Sequence, residues 1–329
     1  MGSAPVGATV APQSGESVSG SHGQSQDLAR PKPPSGPPSV AVVQSSSAAH
    51  CSEDGDTGAC SPTWDVTLSA GVEVRAMSES FGGSTTAVAT NAGAFLIDSS
   101  TADVAPIKGL EGPATAAAGS GAAGSHFAVA TAKGMHQVSA SSGETTLIRG
   151  VGGTPVAVAG GAQPGASFGV LTATSGGAAV HHVGSGSEVA SAPVHLPGEP
   201  MGITGSGSED GFFGVVTTEG AYLVSTSRDD ASLVEGVEGL PAAITGSGSA
   251  AGRFGILTSE GVFVTDASTG NTRRLELPQD AEFGAPVAVT GLLQRDDATL
   301  AFATTTGIFA ASGEGGGAAT RIEGVAGTP

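Results

Sequence analysis

Little of this 329-residue chain is charged, and less of it is basic. Charged residues make up 13%, with 12 Lys and Arg against 30 Asp and Glu, about half the usual charged share of a globular protein. The resulting net charge of −18 repels phosphate, so neither nucleic acid nor anionic lipid is expected as a partner. Leu, Lys, Glu and Met are sparse, which argues against a helical bundle. No window approaches the roughly 18 apolar residues of a membrane-spanning helix. The opening stretch MGSAPVGATVAPQSGESVSG lacks the basic start and apolar core of a secretory signal. Seven histidines are present, yet neither H-x-H nor H-E-x-x-H occurs, so no metal centre of those spacings is expected. G-x-S-x-G at a strand-to-helix turn is missing too, which removes the usual serine triad.

What the chain has in abundance is glycine, 54 residues, roughly twice the usual share. With Ala, Val, Thr and Ser it favours strands and tight turns, so an all-β protein is expected. Residues 1–62 stand apart. They are rich in Ser, Gly, Pro and Ala, include ARPKPPSGPPSV, and carry too little apolar surface to offset the entropy of ordering. They read as a disordered tether, stiffened where proline is dense. At its end, CSEDGDTGAC holds the only two cysteines, Cys51 and Cys60. A small disulfide loop there implies an oxidising compartment, and hence an extracytoplasmic or secreted protein. The alternative is a cytoplasmic chain with two thiols.

From residue 63 onward the sequence repeats. TAVAT, FAVAT, FGVLT, FGVVT, FGILT and LAFAT end at Thr90, Thr131, Thr172, Thr217, Thr258 and Thr304. A second marker, in which proline opens an apolar segment, advances in step at Pro113, Pro155, Pro200, Pro241 and Pro286. Each unit divides into four strands; in the clearest copy these are 242–245, 254–258, 262–266 and 272–277. The turn SEG is expected to be a three-residue hairpin loop with Gly261 in the left-handed position. Four short antiparallel strands per unit of about 40–45 residues resemble the blades of the β-propeller superfamily. The resemblance covers roughly four-fifths of the chain and implies a six-bladed propeller over residues 63–329, its first inner strand near 72–76. GVFVTDASTG is similar to the NHL- and YVTN-type propellers. The marks of WD40, Kelch and sialidase-like blades are absent. WDVTLS, containing Trp64, is expected to clasp the last blade, with the tryptophan as anchor.

Propellers serve many functions, so function has to come from a site. His126 and His136 fall in the second unit, and His181, His182 and His195 in the third. Adjacent His181 and His182 point to opposite faces of a strand and cannot jointly hold a metal. DGDTG, Asp54 to Gly58, echoes the start of a calcium loop without its later acid; Ca²⁺ is the only cofactor the sequence suggests. The constellation with most weight is acidic. The loops from outer to next inner strand share a rim with the loops joining strands two and three. They carry Glu111, Glu199, Glu238 and Glu282, together with Glu219 and Glu260. Such a rim suits a basic or cationic ligand or protein surface. The inner strands are mostly Ala, Val, Thr and Gly, poor in acid–base groups. The expectation is therefore a monomeric extracytoplasmic binding or scaffolding module rather than a catalyst. The alternative is a propeller hydrolase or lyase with a metal-assisted site at the channel mouth.

Overall fold

Six four-stranded antiparallel sheets follow one another along the chain, each with its strands in sequence order. The computed structural model describes residues 40–44, 64–68, 71–78, 85–98, 100–101, 103–110, 112–119, 124–160, 166–205, 211–228, 230–246, 252–278, 282–292, 299–312 and 318–322. The sheets occupy residues 74–106, 114–147, 154–196, 200–233, 241–274 and 286–321, here blades 1 to 6. First strands of successive blades lie side by side, as they do around a propeller axis. The chain is a six-bladed β-propeller.

The blades are held face to face by one repeated contact. The phenylalanine that opens F-G-x-x-T in one blade packs over the second residue of the same motif in the blade before it. A Cβ on Gly169 would stand 2.8 Å from Phe213, one on Gly214 2.6 Å from Phe254, and one on Gly255 2.6 Å from Leu300. Glycine is therefore present to leave room for the next blade's knob, not to bend the strand. Blades 1 and 2 use alanine at the same place, Ala87 and Ala128, both fully buried. Around each contact grows a core shared by two blades. Phe127 centres the one between blades 1 and 2, and Phe168, Phe213, Phe254 and Leu300 centre the next four.

Between blades 6 and 1 the described residues form no such core. The motif explains why: blade 1 carries Thr86 where blades 2 to 5 carry phenylalanine. On the matching face of blade 6, Ala301, Ala303, Ile308 and Ala310 stay half-buried. Val88, Phe95 and Ile97 on blade 1 are buried without joining a core shared with blade 6. The expected clasp is not what Trp64–Leu68 makes. That strand pairs with Val40–Gln44 in a separate two-stranded sheet, and Val40–Gln44 lies against the outer strand of blade 1, Asp103–Pro106. Val40–Gln44 falls within the residues read as a tether. The rest of residues 1–62, with Cys51, Cys60 and DGDTG, lies outside the described residues.

Threonine makes the turns between second and third strands. Thr258 Oγ1 donates to the Gly261 carbonyl at 3.2 Å and accepts the N–H groups of Glu260 at 3.1 Å and Gly261 at 3.2 Å. Thr90, Thr131, Thr217 and Thr304 bond the carbonyl of their own glycine in the same way. The loop thus holds two residues, Ser259 and Glu260, and Gly261 does not take the expected left-handed conformation. Its missing side chain instead leaves room for Arg274, whose Nε a Cβ would meet at 2.9 Å. In blade 3 the hairpin runs two residues further and Thr174 takes over the role, donating to Gly177 at 2.9 Å. The delayed glycine of that unit is a longer hairpin.

The interblade contact predicts that Gly214→Ala overpacks the blade 4–5 junction and costs about 1–3 kcal/mol. A thermal melt should show a Tm lowered by several degrees; an unchanged or raised Tm would mean the phenylalanine yields freely.

Candidate functional site

The rim glutamates are placed by a reciprocal stitch between two loops. The residue entering a first strand and the first residue of the neighbouring turn exchange hydrogen bonds. Thr218 N–H donates to the Glu199 carbonyl at 3.0 Å, and the Glu199 N–H returns to Thr218 Oγ1 at 2.9 Å. Leu240 and Ser259 do the same at 2.9 and 3.0 Å, as do Ala285 and Thr305. Glycine precedes each entering residue because the loops cross closely. A Cβ on Gly198 would lie 2.9 Å from the Glu219 nitrogen, and one on Gly239 2.9 Å from Glu260 Cγ. Both glycines have positive φ, +80° and +81°, which a side chain rarely tolerates. GEP and GLP in the sequence are therefore loop-crossing signatures.

These crossings gather the expected residues into neighbours. Glu199 sits beside Glu219 on blade 4, and Glu238 beside Glu260 on blade 5. Glu282 stands at the approach to blade 6, its carbonyl accepting Thr306 Oγ1–H at 2.8 Å. All five are exposed; Glu111 lies outside the described residues. Paired acid belongs to blades 4 and 5, and on blade 1 the equivalent entering residue is Glu73, exposed and stitched to Asn91. Blade 1 presents Arg75 and Lys108, and blade 2 Lys133, on the corresponding strand and loops, all exposed. Among the described residues the rim glutamates are densest on blades 4 to 6 and are interleaved with basic residues on blades 1 and 2.

Two residues at this rim escape sequence reasoning. Arg274, on the fourth strand of blade 5, donates through Nη2 to the Glu260 carbonyl. Its Nη1 stands 3.9 Å from Glu238 Oε2. One guanidinium thus ties together the loops carrying both glutamates. Its only sequence signal is an arginine two strand positions beyond the turn, in a strand read mainly as blade edge. Tyr222, the single tyrosine, lies under the turn of blade 4. Burial raises its pKa, and the Glu219 carboxylate adds to the rise. Among the described residues no group of three or more His, Cys, Asp or Glu side chains is placed to hold a metal ion, and no helix is long and apolar enough to cross a membrane.

No protein-family model and no curated protein matches the chain. Among solved structures its fold is similar to that of an ancestral GH74 enzyme, with a TM-score of 0.53 at 11% identity. The match covers 72% of this chain and 36% of that one, so the chain spans little more than a third of its length. The expectation of a non-catalytic binding module is corrected by this likeness, because the fold it finds belongs to an enzyme. That expectation weighed the inner strands for acid–base groups; the carboxylates and Arg274 stand on the rim loops and outer strand.

His126 and His182 make contacts across blade junctions. His181 Nε2 lies 3.2 Å from the Gly152 carbonyl, which can only accept, so Nε2 carries the hydrogen. His182 points the other way, its ring 6.2 Å from that of Phe213 on blade 4. Burial lowers the pKa of His136. Burial also lowers that of His181, the backbone bonds at Gly152 and Ser191 offsetting part of the effect. A lowered folded-state pKa means that acid favours the unfolded chain, whose histidines protonate at about 6.5. Stability from these two groups is present above that pH and lost as pH falls through their folded values. Melts across this window should show Tm falling below about pH 6.5, with a shallower slope in the His136→Gln/His181→Gln double variant. Equal slopes would show that other groups set the acid limit.

Proposed function

We propose that this propeller is a hydrolase that cleaves a glycosidic bond at the rim of blade 5, using Glu238 and Glu260. The observation that carries the reading is the arrangement of these residues. Two glutamates from crossing loops share Arg274, on a fold similar to that of an ancestral GH74 enzyme. Glycoside hydrolysis needs two carboxyl groups flanking one bond, one to protonate the leaving oxygen and one to act as base or nucleophile. Glu238 faces the guanidinium and takes the carboxylate role. Glu260, with its own carbonyl rather than its carboxyl group on Arg274, takes the acid role. Acid–base chemistry by two carboxylates also fits the described residues better than the metal-assisted version, for which they offer no ligand cluster. Secretion, which the cysteine pair suggests, suits an enzyme acting on extracellular polysaccharide.

The test is release of reducing ends from a panel of neutral plant and microbial polysaccharides. Glu238→Gln and Glu260→Gln are each expected to lower kcat by about 10²-fold or more, the range for removing an acid–base group, with the Tm unchanged. No release from any polysaccharide, or release that survives both substitutions, would overturn the assignment.

A further inference from the structure

The same arc of blades 4 to 6 presents apolar side chains that the hydrolytic reading does not use. Every first strand carries a register shift at the same place, for example between Pro155 and Ala157, Pro200 and Gly202, and Pro286 and Ala288. The extra residue of each bulge has no partner across the ladder, and a bulge re-aims its side chain. These residues are Arg75, Thr115, Val156, Met201, Ala242 and Val287. With neighbouring blades covering both faces of an inner strand, the direction left open is the channel. Met201 is 43% exposed and Val287 42%. Leu240, in the loop stitched to Ser259, is 69% exposed, more than any other large apolar residue described. Apolar side chains left in water and ringed by charge mark a contact surface.

We infer that Met201, Leu240 and Val287, framed by Glu199, Glu219 and Glu282, dock a polypeptide segment in which apolar side chains alternate with lysine or arginine. The charge around the patch selects this occupant. Exposed carboxylates on all three blades meet basic side chains favourably, while leucine-sized side chains of the partner cover the apolar residues. A second copy of this chain is disfavoured, since a symmetric contact would set acidic arc on acidic arc. This surface lies beside the hydrolytic pair and does not rest on its activity.

The experiment is fluorescence anisotropy of the full chain with three labelled peptides, alternating Lys with Leu, Lys with Ser, and Glu with Leu. The Lys–Leu peptide is expected to bind, more weakly as salt rises, and the other two are not. Met201→Ser combined with Leu240→Ser, and separately Glu199→Lys combined with Glu219→Lys, should each weaken binding by about tenfold or more. Equal binding of the Lys–Ser peptide would reduce the surface to simple charge attraction and overturn the inference. So would no binding of the Lys–Leu peptide, or variants that bind as the original does. Polysaccharide cleavage is read separately, so either proposal can fail without the other.

Discussion

A phenylalanine lying over a glycine holds this molecule together. A four-stranded sheet of alanine, valine and threonine has too little volume on its faces to build a core alone, and the phenylalanine supplies that volume in one piece. Dropping it into the space left by a glycine on the preceding blade lets two sheets approach to packing distance. The contact runs in one direction around the axis, each blade giving its ring to the one before. Blade 3 gives Phe168 and receives Phe213; blade 4 gives Phe213 and receives Phe254. Glycine, usually a sign of loose backbone, here measures the size of a neighbour. That is why FGVLT, FGVVT and FGILT can be both glycine-bearing and fully ordered strands.

Close blade packing in turn decides what the rim can carry. Once the sheets are locked, the loops between blades cross the turns within blades at a fixed height. Glycine before the entering residue, and a side-chain oxygen on the turn, close the crossing with two hydrogen bonds. The side chains of the entering residue and of the second turn residue take no part in this stitch and face solvent, so their identity is free to vary. Glu199 and Leu240 occupy equivalent places, as do Glu219, Glu260 and Thr306. Function-bearing variety is thereby grafted onto a repeating support, with backbone geometry set by glycine and threonine.

The repeat, the strand order and the blade count were legible in the sequence because they rest on local rules: alternation along a strand, turns at T-x-x-G, proline at the start of a ladder. The rim was legible as well, since loop position follows from strand order. Three kinds of feature were not. Gly261 reads as a left-handed turn residue, but the turn is closed by the Thr258 hydroxyl, and the space a Cβ would take is filled by Arg274 from another strand. Trp64 reads as a clasp for blade 6, but strand pairing depends on a partner at 40–44 inside a segment of low apolar content. The rim glutamates read as one set, and the sequence does not show that Glu73 on blade 1 takes the place of Glu199 beside Arg75 and Lys108. In each case the deciding contact joins residues distant in sequence. Arg274 shows this best: nothing near it in the chain marks the Glu238 loop as its neighbour.

Among the described residues no phenylalanine or leucine lock joins blades 6 and 1, which gives position around the ring a meaning. In a repeat whose units are stabilised by their neighbours, a unit held on both sides is stiffer than one held on one side. Among the described residues blades 1 and 6 each take part in one phenylalanine or leucine contact, whereas blades 2 to 5 each take part in two. Glu238, Glu260 and Arg274 belong to blade 5, held by Phe254 on one side and Leu300 on the other. Carboxylates on mobile long side chains are useful for bond cleavage only where the backbone beneath them does not drift, because small errors in placement are costly. The pair stands where two junctions meet and the loops are stitched and bridged by a guanidinium. Glu282, approaching blade 6, has only the half-buried face of Ala301 and Ala303 beyond it and lacks an acidic neighbour in the turn. Rigidity and paired acid therefore coincide on blade 5, and that coincidence separates its glutamates from the others of the rim.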